Sequence, residues 1–266
     1  MKQLNPKPAT SQRAAIRPPD KKTERSNAAT ASAEVNWKGL FATGAISAFV
    51  IVLMYLAELI VVLLKGFPPT TVEGWFSVLQ SNRSIGLMRT FALDIIAIGL
   101  KAPLYLALYF LLRQVRQAYP SLILAVVLAF IGMAVYFATN TSFSMLSLSD
   151  QLSMATNDAQ RSQILAAGQA LFSIYNGTGP FVAFAFFAIA GILLSIVMLE
   201  SGIFGKTVAI IGIIGNALEL GLPSEIESST FLKIDPVLIA IGGVLIIIWN
   251  IFIGLKLLQK ASEKQR

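Results

Sequence analysis

The sequence predicts an all-α membrane protein, a bundle of six transmembrane helices with an extracytoplasmic amphipathic helix between spans three and four. Three observations predict it. Charged residues are 13% of the 266-residue chain, about half the share of a soluble domain. Mean hydropathy is +0.70. Short polar or Gly/Pro-bearing segments then cut the chain into apolar runs of about the 20 residues that a helix needs to cross a bilayer.

Residues 1–37 carry Pro6, Pro8, Pro18 and Pro19 and a spread of Lys and Arg. Such a segment buries too little apolar surface to offset its ordering entropy, which predicts a disordered, basic cytoplasmic tail. The polar lead and the apolar run behind it are both too long for a secretory signal. The six-span domain is expected over 38–258. Span one covers roughly 40–64 (LFATGAISAFVIVLMYLAELIVVLL) and stops at Lys65-Gly66-Phe67-Pro68-Pro69. Span two is expected at 85–112, ending at Arg113, and span three at 121–138, after Tyr119-Pro120. Spans four, five and six are expected at 180–199, 206–222 and 236–258, the fifth being short and rich in glycine. A basic C-terminal tail occupies 259–266.

Between spans three and four, Asn157 stands three residues before Gln160 in the arrangement of a helix N-terminal cap. Ile164, Leu165, Gly168, Leu171, Phe172 and Tyr175 follow at helical spacing. They predict an amphipathic helix that caps the bundle or extends span four. Gly44 with Ala48, and Gly191 with Ser195, place small residues four apart, which permits close packing of helices. Trp37, Trp75, Tyr119 and Tyr175 are candidates for the interfacial aromatic belt, whereas Trp249 falls inside span six.

Orientation follows from Lys and Arg. With the N-terminus inside, fifteen of them fall in cytoplasmic pieces and five (Lys65, Arg83, Arg89, Arg161 and Lys233) outside or at the outer edge. The positive-inside rule then puts both termini in the cytoplasm. The same placement accounts for the net charge of +7 without nucleic acid, so the expected partner is the lipid bilayer.

Three segments resemble a known family. They are ALYFLLRQV at 107–115, SMLSLSDQLSMATNDAQRSQILAAGQALFSIYNGTG at 144–179 and VMLESGIFGKTVAIIGIIGNALELG at 197–221. Together they are similar to the bacterial six-helix membrane proteins of domain-of-unknown-function family 4386. The resemblance implies a six-span protein of a bacterial or archaeal cytoplasmic membrane and implies no activity.

The chain has no Cys and no His. Disulfides, zinc sites built on thiolate or imidazole, and Ser–His or Cys–His nucleophile pairs are thereby excluded. An intramembrane aspartyl protease needs two aspartates on facing spans, and only Asp94 qualifies. The expectation is a protein that is not an enzyme and holds no cofactor or metal. Asn140-Thr141-Ser142 and Asn176-Gly177-Thr178 match the glycosylation sequon, but they sit at membrane edges in a chain of bacterial type.

The informative residues are polar ones inside spans, where a charge costs about 2.5–3.5 kcal/mol on insertion scales. They are Glu58 in span one, Asp94 and Lys101 in span two, and Glu219 in span five. Asn140, Asn176 and Asn216 add amides at the outer ends of spans three and four and partway along span five. Their depths predict a polar pocket open to the extracytoplasmic side. Glu58 and Glu219 are near enough to helix ends to reach the interface, and Arg89 to snorkel. Asp94 and Lys101 are seven apart, on one face and about 10 Å from each other, so each needs a partner on another helix or a water between them. A functional pocket and a structural ion pair both fit them. At the level of function, binding or movement of a small solute or ion stands beside a non-catalytic role as membrane partner, sensor or assembly subunit.

Overall fold

The computed structural model describes residues 37–90, 92–113, 120–220 and 236–263, and every regular element among them is an α-helix. The expected N-terminal tail lies outside these residues except for Trp37, as does Tyr119. Among the described residues ten helices follow one another: α1 Lys38–Lys65, α2 Val72–Ser81, α3 Arg83–Arg89, α4 Asp94–Leu112, α5 Pro120–Thr139, α6 Ser142–Met154, α7 Asp158–Tyr175, α8 Thr178–Ser201, α9 Lys206–Glu219 and α10 Pro236–Ser262.

Among the described residues five stretches, built on α1, α4, α5, α8 and α10, are long and apolar enough to cross a membrane. α1 runs uninterrupted because its 28 residues contain no proline. It ends where Gly66 takes φ 78°, a left-handed conformation that glycine enters without strain, and Pro68-Pro69 prevents resumption. α8 ends in the same way at Gly202, with φ 68°. The expected fifth span is α9, whose 14 residues measure about 21 Å at 1.5 Å each, short of a 30 Å hydrocarbon core. Residues 221 and 222, the end of that expected span, lie outside the described ones. At the other end of the chain, α10 continues through Ser262, so the first half of the expected C-terminal tail is helical.

The apolar helices form a ring. α1 packs on α4 and α10, α4 on α5, α5 on α8, α8 on α9, and α9 on α10, which closes the circuit. Contact between helices in lipid relies on close approach rather than on water exclusion, and small residues supply it. Gly44 of α1 lies directly against Ala107 of α4, and Gly191 of α8 against Asn216 of α9. Gly132 of α5 meets the backbone of Ala183 in α8. The small-residue pairs read in the sequence therefore serve packing within this chain. The outward face keeps its large apolar side chains exposed, among them Ile46, Leu53 and Ile60 of α1 and Ile123, Val127 and Ile131 of α5.

The remaining helices, α2, α3, α6 and α7, build a second apolar core. Val72, Trp75, Phe76, Leu79 and Met145 are buried in it, with Ile164, Leu165, Leu171, Phe172 and Tyr175 packed around them. α7 starts as expected: Asn157 Oδ1 accepts the Gln160 N–H at 2.9 Å, and the Gln160 side chain accepts the Thr156 N–H at 3.0 Å. α2 and α3 stand where the sequence reading had only a loop and the start of span two. The Thr71 hydroxyl accepts the Gly74 N–H, and the Asn82 amide oxygen accepts the Ile85 N–H. The expected span over 85–112 is thus corrected. α3 ends at Arg89, and the membrane helix begins afresh at Asp94. Trp75 is corrected as well. It is fully buried, with its indole N–H donated to the Pro69 carbonyl at 2.8 Å, because α2 turns it into the core of the cap.

Candidate functional site

Restarting the helix at Asp94 places that carboxylate in the first turn of α4, where unpaired backbone N–H groups and the helix dipole favour negative charge. Lys101 lies two turns further on. Pro103 follows inside the same helix and removes the N–H that would have bonded to the Gly99 carbonyl. The helix runs on through Leu112 because its buried face, including Leu104, Leu108 and Leu111, stays packed.

Partners come from the other members of the ring. Glu58, on α1, is 7% exposed, its Oε1 has no hydrogen-bond partner among the described residues, and its charge is close enough to act on Asp94. From the neighbouring helix α5, the Tyr136 hydroxyl donates to Asp94 Oδ2 at 3.4 Å, and the Asn140 amide donates to the Tyr136 oxygen at 3.1 Å. The charges that act on Lys101 are Glu219 of α9 and then Asp94. Lys101 Nζ also stands 4.2 Å from the centre of the Phe187 ring of α8, within cation–π range. The sequence requirement that Asp94 and Lys101 each find a partner on another helix is met separately. Asp94 has Tyr136 of α5 and Lys101 has the Phe187 ring of α8, while Glu58 and Glu219 act on them through charge.

Five of the six ring helices therefore converge on one cluster, which lies inside the ring. Glu58 does not reach the interface as its position near the end of α1 led us to expect, because that face of α1 is turned toward α4. Arg89 does not snorkel freely either. It donates to the Phe67 carbonyl at 2.7 Å and ties α3 to the segment after α1. Asn140 belongs to the cluster through Tyr136. Asn176 instead closes the end of α7, donating its backbone N–H to Phe172 O. Asn216 lies between α8 and α9, its amide donated to the Gly212 carbonyl at 2.7 Å.

Tyr136 and Phe187 were missed by the sequence reading. Tyr136 precedes Asn140 by four residues and so shares its helix face, which is a usable signal. Phe187 carries none, since an aromatic residue in an apolar span reads as lipid-facing or core. Among the described residues no group of three acidic side chains could hold a metal ion. Two surface cavities lie away from the charges. One, of about 500 Å³, runs between α6 and α7, lined by Ser144, Ser147, Ala167 and Ala170. The other, of about 340 Å³, lies at the α3–α4 break beside Leu87, Met88, Leu93 and Phe143.

Apolar helices in a ring, with charge inside and hydrocarbon side chains outside, mark the chain as a multi-pass integral membrane protein. No protein-family model, curated protein or solved structure matches it.

Proposed function

We propose that this is a six-span protein of a bacterial cytoplasmic membrane, with both termini cytoplasmic, and that the cluster inside its ring binds and passes a proton or another small cation. α9 counts as the sixth span in this reading, since it completes the ring between α8 and α10. The resemblance of 107–115, 144–179 and 197–221 to family 4386 supports the same count. α7 and the other cap helices then lie on the extracytoplasmic side.

The observation that supports the proposal is the gathering of polar groups from different helices, the Tyr136 hydroxyl of α5 donating to Asp94 of α4 at 3.4 Å and Lys101 lying over Phe187 of α8, with Glu58 of α1 buried. Three carboxyl groups face one ammonium in the cluster, which leaves it acidic and suited to a cationic guest. Lys101, held between Glu219 and Asp94, is the internal cation that such a guest would displace or repel. Intramembrane acid and base groups in this arrangement are what proton relays use.

Purified protein in liposomes carrying a pH-sensitive dye tests the reading. Wild type is expected to dissipate an imposed proton gradient, and Asp94→Asn and Glu58→Gln are each expected to lower that flux at least tenfold. Flux equal to wild type in both variants would remove the proposal. A second reading is a membrane partner without transport. It gains if wild type carries no flux under any gradient.

A further inference from the structure

The three helices α8, α9 and α10 meet along a seam that the acid cluster does not use beyond Glu219. On α9, Glu219, Asn216 and Gly212 follow one another at steps of three and four residues and so share one face. Gly212 lies about 10 Å inward from Glu219 along that face. Opposite Gly212 stand Ser195 of α8 and Trp249 of α10. A Cβ at position 212 would fall on both the Ser195 hydroxyl and the Trp249 indole nitrogen.

Both of these polar atoms are deeply buried, Ser195 being 0% and Trp249 3% exposed, and neither has a hydrogen-bond partner among the described residues. Several other polar side chains inside the membrane helices return to the carbonyl four residues back. Ser47 does so to Thr43, Thr139 to Val135, Asn216 to Gly212 and Asn250 to Ile246. Ser195 forgoes the bond to Gly191 that its place on α8 allows, and an indole N–H has no such local option. Unpaired donors inside a membrane are costly, and two of them facing one glycine make a site.

We infer that the seam over Gly212 binds a single small hydrogen-bond acceptor, a water molecule, held between Trp249 Nε1 and Ser195 Oγ. The indole can only donate, and the hydroxyl donates or accepts. Water satisfies both at once, whereas a cation satisfies neither the indole nor a donating hydroxyl. The site lies on the same face of α9 as Glu219 and places a proton-conducting molecule inward of the acid cluster. As a binding site it stands whether or not the cluster passes protons.

Nuclear magnetic resonance of the full chain in nanodiscs, with tryptophan labelled with 15N at the indole nitrogen, tests it. The Trp249 signal is identified by its loss in Trp249→Phe. A cross-peak between its indole proton and water is expected, while Trp75, whose indole N–H is bonded to Pro69 O, gives none and serves as the internal control. In Ser195→Ala the Trp249 cross-peak is expected to persist, because water keeps its bond to the indole. A Trp249 signal as dry as that of Trp75 overturns the inference. A cross-peak that disappears in Ser195→Ala overturns it too, by assigning the signal to the serine hydroxyl proton.

Discussion

The cap and the ring of this protein are built from the same kind of element with opposite insides. In the cap, Trp75, Phe76, Leu79 and Met145 are buried, and the ion pair between Arg83 and Asp150 sits outside, its side chains 63% and 46% exposed. In the ring Glu58 is buried, Asp94, Lys101 and Glu219 are half-buried with Lys101 over the Phe187 ring of another helix, and Ile46, Leu53 and Ile60 are on the outside. In the topology proposed above, water drives apolar groups together in the first case. Lipid offers no such drive between helices, so in the second case close packing and polar contacts specify the arrangement. One chain thus shows how the same periodicity of sequence is read in two opposite directions.

The comparison is broken most directly at the cap core. Trp75→Ala removes the largest fully buried side chain there, together with the hydrogen bond to Pro69 and the edge contacts to Phe172 and Tyr175. Loss of a buried Trp costs on the order of 4 kcal/mol. Limited proteolysis of this variant is expected to cut within α2 or α6, while the helix ring keeps its protection. Equal exposure of cap and ring would show that they form one cooperative unit.

Lys101→Met probes the opposite interior. It leaves Glu219 and Asp94 without their ammonium, and removing one member of a buried charged set costs on the order of 3 kcal/mol. Thermal unfolding in nanodiscs measures it, and adding Glu219→Gln is expected to recover a large part of the loss. A Lys101→Met protein as stable as wild type would mean that Lys101 is not electrostatically held, leaving its contact with Phe187 as a packing contact alone.

What the sequence revealed divides along the same line. The membrane helices were legible because a run such as 40–64 is apolar all round and needs only its length and its stop at Gly66 to be recognised. The cap was half legible. Asn157 and Gln160 announced α7 through local hydrogen bonding, but α2 was passed over although Val72, Trp75, Phe76 and Leu79 fall at i, i+3, i+4 and i+7. Ten residues between two spans read as loop until something is known to cover their apolar face. The restart of the helix at Asp94 was hidden because Thr90 to Leu93 contain neither glycine nor proline, and the break is held from a distance by the Ser142 hydroxyl, which donates to Thr90 O at 2.8 Å. For the site, the charged residues could be named, but which of them meet could not. Glu58 and Asp94 are 36 positions apart in sequence, and their approach depends on which face α1 turns toward α4, a choice made by Gly44 against Ala107 nearly four helical turns along the two helices from the acids.

The smallest expected effect is the sharpest control on the argument. Asp150→Asn removes one charge from the pair with Arg83, as Lys101→Met removes one from the interior. The Arg83–Asp150 pair is solvated on both sides, and exposed pairs contribute about 0–1 kcal/mol, further reduced as salt screens them. Asp150→Asn is therefore expected to shift unfolding by no more than about 0.5 kcal/mol, with even that shift fading at high ionic strength. Lys101→Met should be indifferent to salt, because its partners lie inside the ring. If the two substitutions cost the same, or if the interior one fades with salt, the cluster is open to bulk water and the contrast between the two interiors does not hold.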